Sequence, residues 1–549
     1  MQRTTAPEGS AVRLGDQLRV AARLARRLRG HVRRTLRPED ARRLIADGLR
    51  RRDERLLAML EHVVFARPAN PYRRLLDHVG VGLADIRQSL VVHGVETTLG
   101  TLADAGVYLS LDEFKGRRPV RRGSLEFRTS PHDFDNPLSV RGISLQTGGS
   151  RGGGTRIYLD LDNYGQDAAY HHLMLEAFGL LDRPAAVWAP MPPFSAGLAD
   201  LLRAMKLGRL PERWFAQTRP AYDRRSWRHA LLGDGLILGS RLCGAATPRP
   251  EFTPLGEAHI VAGWLAASRA KGRPGVVKTN VASGIRVCLA ARERGLDITG
   301  SFFRVDSEPL TPARAQVFAR EGCGVANTYA MTEAGWVGVP CARAEQPDAC
   351  HLLTDKIAVV RRDMRTAYGA GATANLYTTL LSTTPKLMLN VDCGDFSAVS
   401  EAPCGCLFGE LGYRTRLHTI RSYDKLTSEG MNFLGDDLHR LLEEVLPDRF
   451  GGSPLDYQLV EAEAEGTGLP QVMVVASPRL GPLDETAVVG VVIEFLNHLP
   501  SSGGTFGRRW QEAGTLRLER REPAATGAGK MMALHVSGRG QGPAPDTSA

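Results

Sequence analysis

The sequence predicts an α/β protein built from a large layered domain and a small α+β domain at the C-terminal end. Three observations predict it. The chain has 549 residues, more than one ordinary core absorbs. From residue 259, short apolar runs alternate with helical runs, as expected of a sheet covered by helices. Beyond residue 420 the pattern changes to a helix, two strands, a helix and a strand.

The elements follow in order. Residues 10–65 read as helices, with Pro38, Glu39 and Asp40 supplying a start. Gly116 to Pro137 is polar and Pro-containing and reads as irregular. Ile143 to Gln146 is a short strand entering a Gly-rich loop, and Ile157 to Leu161 a strand leaving it. Residues 166–181 are helical, and Ala185 to Ala189 is a buried strand that stops at Pro190. Residues 259–271 form a helix, Gly275 to Lys278 a strand, Ser283 to Gly295 a helix, Phe302 to Val305 a strand and Pro312 to Gly322 a helix. Gly324 to Asn327 is a further strand with Tyr329 to Glu333 as its exit loop. Helix 435–446 then precedes strands at 456–463 and 470–476, helix 484–497 and a strand at 514–519. The expected domains are an Arg-rich helical extension (1–65), a large domain (66–420), a small mobile domain (421–536) and a disordered tail (537–549).

The formal net charge of +10 is concentrated at one end. Residues 1–55 hold sixteen Arg, no Lys and seven acids, and the rest is close to neutral. Leu14, Leu18, Ala21, Ala25, Leu28 and Val32 keep a helical stripe within this arm. The arm therefore reads as a helix with a solvated basic face packed on the body. Binding of nucleic acid, a membrane surface or a partner is the alternative. No run of eighteen apolar residues exists, so no membrane span is expected. The first residues lack the apolar core of a secretory signal, and a cytoplasmic location is expected. Eight cysteines in a chain of this length do not suggest a disulfide framework.

Two stretches nearly two hundred residues apart carry chemistry. Thr147, Gly148, Gly149, Ser150, Arg151, Gly152, Gly153, Gly154 and Thr155 form a loop between two strands. It lacks P-loop spacing, but its backbone amides can form an anion-binding nest, and Ser150 and Thr155 add hydroxyls. The second stretch, Tyr329-Ala330-Met331-Thr332-Glu333, offers an aromatic face, a hydroxyl and a carboxylate. It leaves the carboxyl end of a strand, where ligands bind in open α/β sheets. Ser307 to Leu310 is a second turn on the same edge. Taken singly, Tyr329 reads as a satisfied surface tyrosine and Glu333 as a solvated carboxylate. The ordered set, continued by Gly394-Asp395 and Gly529-Lys530, points to a nucleotide.

On these residues the chain resembles the adenylate-forming superfamily of acyl-CoA synthetases, adenylation domains and luciferase, and within it the phenylacetate-CoA ligase-like branch. The resemblance covers roughly residues 70–536. Thr147 to Arg156 is similar to the family's phosphate loop, and Glu308-Pro309-Leu310 to its Gly-Glu-Pro-Leu turn beside the adenine. Tyr329 to Glu333 is similar to its Tyr-Gly-x-Thr-Glu motif, and Asp395 to the aspartate that binds the ribose hydroxyls. Arg421-Ser422-Tyr423-Asp424 is similar to its hinge, and Lys530 to its late catalytic lysine. Departures are Arg151 for a usual Thr, Gly154 for Pro, Ala330 for Gly, Cys393 for Thr and Tyr423 at the hinge Asp.

The resemblance implies an enzyme of the adenylate-forming fold that activates a carboxylic acid with ATP and Mg²⁺. Pyrophosphate would leave, and the acyl group would pass to a thiol, CoA or a carrier protein's phosphopantetheine. Lys530, Thr332 and Glu333 would be catalytic, with Glu333 holding Mg²⁺. Thr147, Gly148, Gly149, Ser150, Gly152, Gly153, Thr155, Glu308, Pro309, Tyr329, Asp395 and Arg421 would bind ATP. The acid would lie between Phe194-Ser195 and Val325-Ala326, a stretch that reads as small and apolar and suits an aryl or short acid. Two other readings stay open. One is adenylation with a non-thiol acceptor, through an amine or other nitrogen nucleophile or by nucleotidyl transfer. The other is a catalytically silent scaffold, against which Glu333, Asp395 and Lys530 argue.

Cys341, His351, Cys404 and Cys406 form a separate candidate. Three thiolates and an imidazole are a closed tetrahedral set for structural Zn²⁺. Gly405 gives the turn of the tight Cys-x-Cys, and Cys350 is an alternative to His351. The competing reading is four unrelated thiols. Some members of the resembled branch pair a Cys/His loop with a later Cys-x-Cys in this way.

Overall fold

The computed structural model describes residues 26–139, 144–146, 156–158, 160–191, 196–218, 227–366, 369–422, 426–428, 431–433, 440–452, 456–463, 469–498, 506–523 and 534–536. The Gly-rich loop at 147–155, Phe194, Ser195, Tyr423, Asp424, Lys530 and the tail at 537–549 lie outside the described residues.

Six short runs form one parallel sheet: β1 (Ala185–Ala189), β2 (Arg213–Ala216), β3 (Pro250–Phe252), β4 (Val276–Asn280), β5 (Phe302–Asp306) and β6 (Gly324–Asn327). Their order is β6-β5-β4-β1-β2-β3, and every pairing is parallel. The chain enters at β1 in mid-sheet, winds out to β3, then returns to the other side of β1. The winding direction thus reverses between β1 and β4. Both faces are covered. Val187, Ala189, Trp214 and Ala216 pack on Leu198, Leu202 and Met205 of helix Ala196–Leu207. Ala186, Trp188, Phe215, Val277, Phe303 and Val305 face the opposite side, with Val261, Ile285 and Phe318 from three further helices. Alternate residues serve opposite cores, so the inner strands are buried on both faces, with Lys278 and Arg304 as buried charged exceptions.

Local chemistry sets the helix starts at the carboxyl edge. The Asn280 side chain accepts from the Ser283 N–H at 2.7 Å, opening helix Val281–Glu293. Thr311 accepts from the Arg314 N–H, with Pro312 at the first position of helix Pro312–Arg320.

After β6 the chain builds β7 (Tyr329–Met331), β8 (Gly335–Pro340), β9 (Cys350–Leu352), β10 (Ile357–Thr366), β11 (Gly369–Thr379), β12 (Val391–Asp392), β13 (Asp395–Glu401) and β14 (Thr415–Ser422). They form an antiparallel sheet ordered β7-β8-β9-β14-β13 and a ribbon β10-β11-β12. The C-terminal unit holds β15 (Tyr457–Glu463), β16 (Pro470–Ala476), β17 (Leu516–Arg520) and β18 (Leu534–Val536), ordered β17-β16-β15-β18. It has its own core around Leu459, Val474, Val492 and Trp510. The fold class is α/β with a smaller α+β unit.

The structure corrects several local expectations. Leu161 begins a helix, Leu161–Ala177, instead of ending a strand, because the Asp160 carboxylate caps it by accepting from the Asp162 N–H. Gly116 to Pro137 contains a hairpin, Val120–Arg122 with Leu125–Phe127, turning at Gly123 with φ +54°. Tyr329–Met331 is a strand and not a free exit loop. The described part of the N-terminal extension packs on the body, as a helix with one apolar stripe should. Leu56, Met59, Leu60 and Val63 share the largest core with Tyr377, Leu387 and Val391.

Candidate active site

Two turns define the site at the carboxyl edge of the parallel sheet. β5 ends at Asp306, and Ser307 takes φ +70°, a left-handed conformation that glycine adopts more easily. The Ser307 hydroxyl donates to Asp306 Oδ1 at 3.0 Å, a local bond that helps hold the turn. Glu308 follows, 4% exposed, and its Oε2 accepts from the Ala282 N–H at 2.7 Å. Its carboxylate therefore sits on the N-terminus of helix Val281–Glu293, where backbone donors favour negative charge. Lys278 on the neighbouring strand bridges Asp306 at 2.7 Å.

β6 ends at Asn327, and the Thr328 N–H donates to Val305 O at 2.9 Å, locking the second turn to the first. The Tyr329 ring is buried in the main core. Its hydroxyl donates to Asp395 Oδ2 at 3.0 Å and lies 3.2 Å from the Tyr377 hydroxyl. Burial, then the nearby Asp395 charge, pushes the Tyr329 hydroxyl well above the ordinary tyrosine range, so it stays a donor. Asp395 follows Gly394, whose φ of +75° and whose missing Cβ, which would lie 2.8 Å from Leu111 Cδ2, require glycine. Arg421 and Ser422, the first residues of the expected hinge, pair across the ladder with Phe396 and Asp395.

Thr332 and Glu333 occupy the tight turn between β7 and β8. Glu333 Oε1 accepts from Lys115 Nζ at 2.5 Å, with the side chains 13% and 10% exposed. Lys115 directly follows Phe114, which stacks on Phe134 at 4.4 Å and fixes the base of the lysine. The Glu333 carbonyl accepts from the Lys386 N–H at 3.0 Å. Gly335, φ +76°, closes the turn over a fully buried Asp167–Lys356 ion pair, and a Cβ there would lie 2.9 Å from Asp167 Oδ2. Val325 and Ala326 point to opposite faces of the sheet. Val325 packs on the apolar core, while Ala326 is in register with Arg304.

The four Cys/His candidates come together. Cys341 follows β8, His351 lies on β9, and Cys404 and Cys406 flank Gly405. Their ligand atoms all lie within 4.8 Å of one another. Cys341 Sγ is 3.6 Å from Cys404 Sγ and 3.9 Å from Cys406 Sγ, and His351 Nε2 is 3.1 Å from Cys406 Sγ. A tetrahedron with Zn–S bonds of about 2.3 Å has edges of about 3.8 Å, so the spacing fits that ion. The Cys341 thiol, the His351 imidazole and the Gly409 N–H together hold Cys406 down to about 3, a thiolate. Cys350 is not an alternative ligand. It occupies the opposite face of β9, in the main core beneath Gly338.

A scan against family models and a search of the curated proteins give no match. Among solved structures, the chain is similar to a 2-hydroxyisobutyryl-CoA ligase in complex with 2-HIB-AMP and CoA. That likeness has 14% identity, 92% of each chain covered and a TM-score of 0.49. It is also similar to an o-succinylbenzoate CoA synthetase of Bacillus subtilis (10%, 72% and 69% covered, TM-score 0.38). A third is an adenylation and carrier didomain complexed with phenylalanyl-adenylate (12%, 81% and 63% covered, TM-score 0.30). The residues of the site, and not these likenesses, carry the functional reading.

The structure brings Tyr329 to Asp395 across 66 residues and Glu333 to Lys115 across 218. Sequence reasoning missed Lys115 and Tyr377. Lys115 stands among the many basic residues before the hairpin, and no spacing links it to Glu333. Tyr377 reads as an ordinary strand aromatic in Asn375-Leu376-Tyr377-Thr378-Thr379.

Proposed function

We propose that the chain activates a small carboxylic acid with ATP, releasing pyrophosphate, and transfers the acyl group to a thiol, in the manner of the phenylacetate-CoA ligase-like enzymes it resembles. The observation that carries this reading is the Tyr329–Asp395 hydrogen bond at the carboxyl edge of a doubly wound parallel sheet, with Glu308 and Glu333 in neighbouring turns.

In the first step a substrate carboxylate oxygen bonds to the α-phosphorus, and the bond to the bridging oxygen of pyrophosphate breaks. Two anions must approach, so positioning and charge neutralisation are the main requirements. Asp395 accepts from the ribose hydroxyls, with Tyr329 fixing its carboxylate. Glu333 is the residue that would hold Mg²⁺, which supplies neutralising charge when bound. Thr332 offers a hydroxyl to the phosphates. The amides of the loop at 147–155 and the Lys530 ammonium complete the set in this reading. In the second step a thiolate attacks the acyl carbon and AMP leaves. The 421–424 hinge reorients the small domain between the steps, withdrawing Lys530. We further infer that Cys341, His351, Cys404 and Cys406 hold a structural Zn²⁺ joining the two connections that carry them.

The test is acid-dependent exchange of labelled pyrophosphate into ATP, with aryl and short aliphatic acids and Mg²⁺. Exchange with at least one acid is expected. Release of ADP in place of AMP, or no exchange by folded protein with the whole panel, overturns the reading.

A further inference from the structure

One layer of the large body is polar where its neighbours are apolar. Helices Leu161–Ala177 and Ala196–Leu207 cover the sheet face that carries Lys278 and Arg304, which are register partners on β4 and β5. Arg304 donates to Asp200, and Lys278 bridges Asp306. Arg203, one helical turn beyond Asp200, lies 4.8 Å over the Trp336 ring. Lys278, Arg304 and Arg203 are each 6% exposed and Asp200 is 3% exposed. Three buried cations thus face two carboxylates. Arg304 Nε, Arg203 Nε and Nη1, and both ring nitrogens of His171 have no hydrogen-bond partner among the described residues. Burial and the Arg304 charge hold His171 well below the ordinary imidazole range, so the ring is neutral and adds no charge. Each buried unmet donor costs about 1–3 kcal/mol, and unbalanced buried charge costs more.

A cavity of about 340 Å³ opens beside these groups. Its walls include His171, Asp200, Lys278 and Arg304, and its outer lining holds Arg183, Arg209 and Arg273 together with the acids Asp182 and Glu212, so that five cations stand against three carboxylates. Arg209 already bridges Asp182 at 3.6 Å. The mouth lies at the amino ends of β1 and β4, the edge of the sheet opposite Tyr329 and Glu333. Its volume suits a small molecule.

We propose that this cavity binds a small anion bearing a carboxylate or phosphate group, held by Arg304 and favoured by the excess of cations in its lining. The site lies apart from the nucleotide edge, and its occupancy does not rest on the adenylation reading.

The test is calorimetric titration of the full chain, free of nucleotide, with succinate and separately with inorganic phosphate. At least one is expected to bind at a single site. Binding of succinate alone identifies a carboxylate ligand, and of phosphate alone a phosphate ligand. Affinity should fall at least about tenfold in Asp200→Asn/Arg304→Gln, which neutralises the pair together. Ala204→Leu, which fills the cavity without changing its charge, should do the same and covers a failure of the double variant to fold. Hydrogen exchange should slow at 180–186 and 209–212 on binding. No heat with either titrant, unchanged affinity in the variants, or protection confined to 329–335 overturns the proposal.

Discussion

Lys115 Nζ lies 2.5 Å from Glu333 Oε1, and both side chains are about nine-tenths buried. The carboxylate suited to a metal ion therefore already faces a cation. Removing one member of a buried pair strands the other, at about 3–5 kcal/mol in well-buried cases. Residual solvent access here lowers that figure. The pair also explains how the tight turn after β7 keeps its carboxylate aimed without a nucleotide.

Lys115→Met should lower the melting temperature, because Glu333 loses the Lys115 ammonium. Mg²⁺ should then restore more stability to the variant than to the wild type, since the ion replaces the missing positive charge. Thermal unfolding with and without millimolar Mg²⁺ checks this. An identical Mg²⁺ response in the two proteins counts against Glu333 as a cation ligand.

Tyr329→Phe should weaken ATP binding by about tenfold while leaving the fold intact. The lost hydroxyl donates to a carboxylate, and such bonds contribute about 1.5–3 kcal/mol. Asp395 would then lose one of the contacts that orient its carboxylate. Equilibrium ATP binding is the measurement, and unchanged affinity would remove Tyr329 from the positioning role.

Four strands of the parallel sheet were legible because they are short apolar runs next to helices, at 185–189 and from Val276 to Asn327, whereas Arg213–Ala216 and Pro250–Phe252 were not read as strands. The antiparallel sheet after Tyr329 was much less so. Its strands alternate polar and apolar residues over connections that carry the Cys/His set, and the pattern resembles loop. Gly394-Asp395 and Glu308 were singled out from local motifs. Lys115 and Tyr377 were invisible because their importance comes from contacts made by the folded chain. The acid region read as apolar from Val325 and Ala326, yet register places Arg304 beside Ala326. Cross-strand neighbours are not visible in a linear sequence.

Lys530→Ala should slow adenylation by about 10²-fold or more, the scale of losing one preorganised electrostatic contact. Thioester formation from supplied acyl-adenylate should survive far better. The two half-reactions are assayed separately, and equal loss in both would show that Lys530 is not delivered for one step alone.

Purified protein should carry about one zinc per chain, given four ligand atoms within 4.8 Å of one another. Cys404→Ser/Cys406→Ser should lose the metal and a substantial part of the stability of the surrounding loops. Elemental analysis of protein prepared without chelator decides the first point. Zinc retained by the double variant would exclude these ligands.

Two N-terminal truncations should behave differently. Deleting residues 1–25 takes away none of the nucleotide motifs, which all lie after residue 140, and should leave adenylation nearly unchanged. Deleting residues 1–55 removes Leu28, Ala41 and Ile45, which are 3%, 0% and 0% exposed. It also removes the Arg27 bridge to Asp160 and the His31 Nε2 contact with Leu202 O at 2.8 Å. Burial holds His31 below its ordinary value of 6.5, despite the hydrogen bond to Leu202. Its contribution is therefore complete above pH 6.5 and shrinks as pH falls, because the unfolded chain takes the proton first. The 1–55 deletion should consequently lower the melting temperature by many degrees at pH 7.5, with loss of activity following loss of fold. His31→Gln in the full chain should flatten stability between pH 7 and pH 5. A 1–55 deletion that melts like the full chain would show that the arm only rests on the body. A folded 1–25 deletion without adenylation would show that the first residues complete the active site.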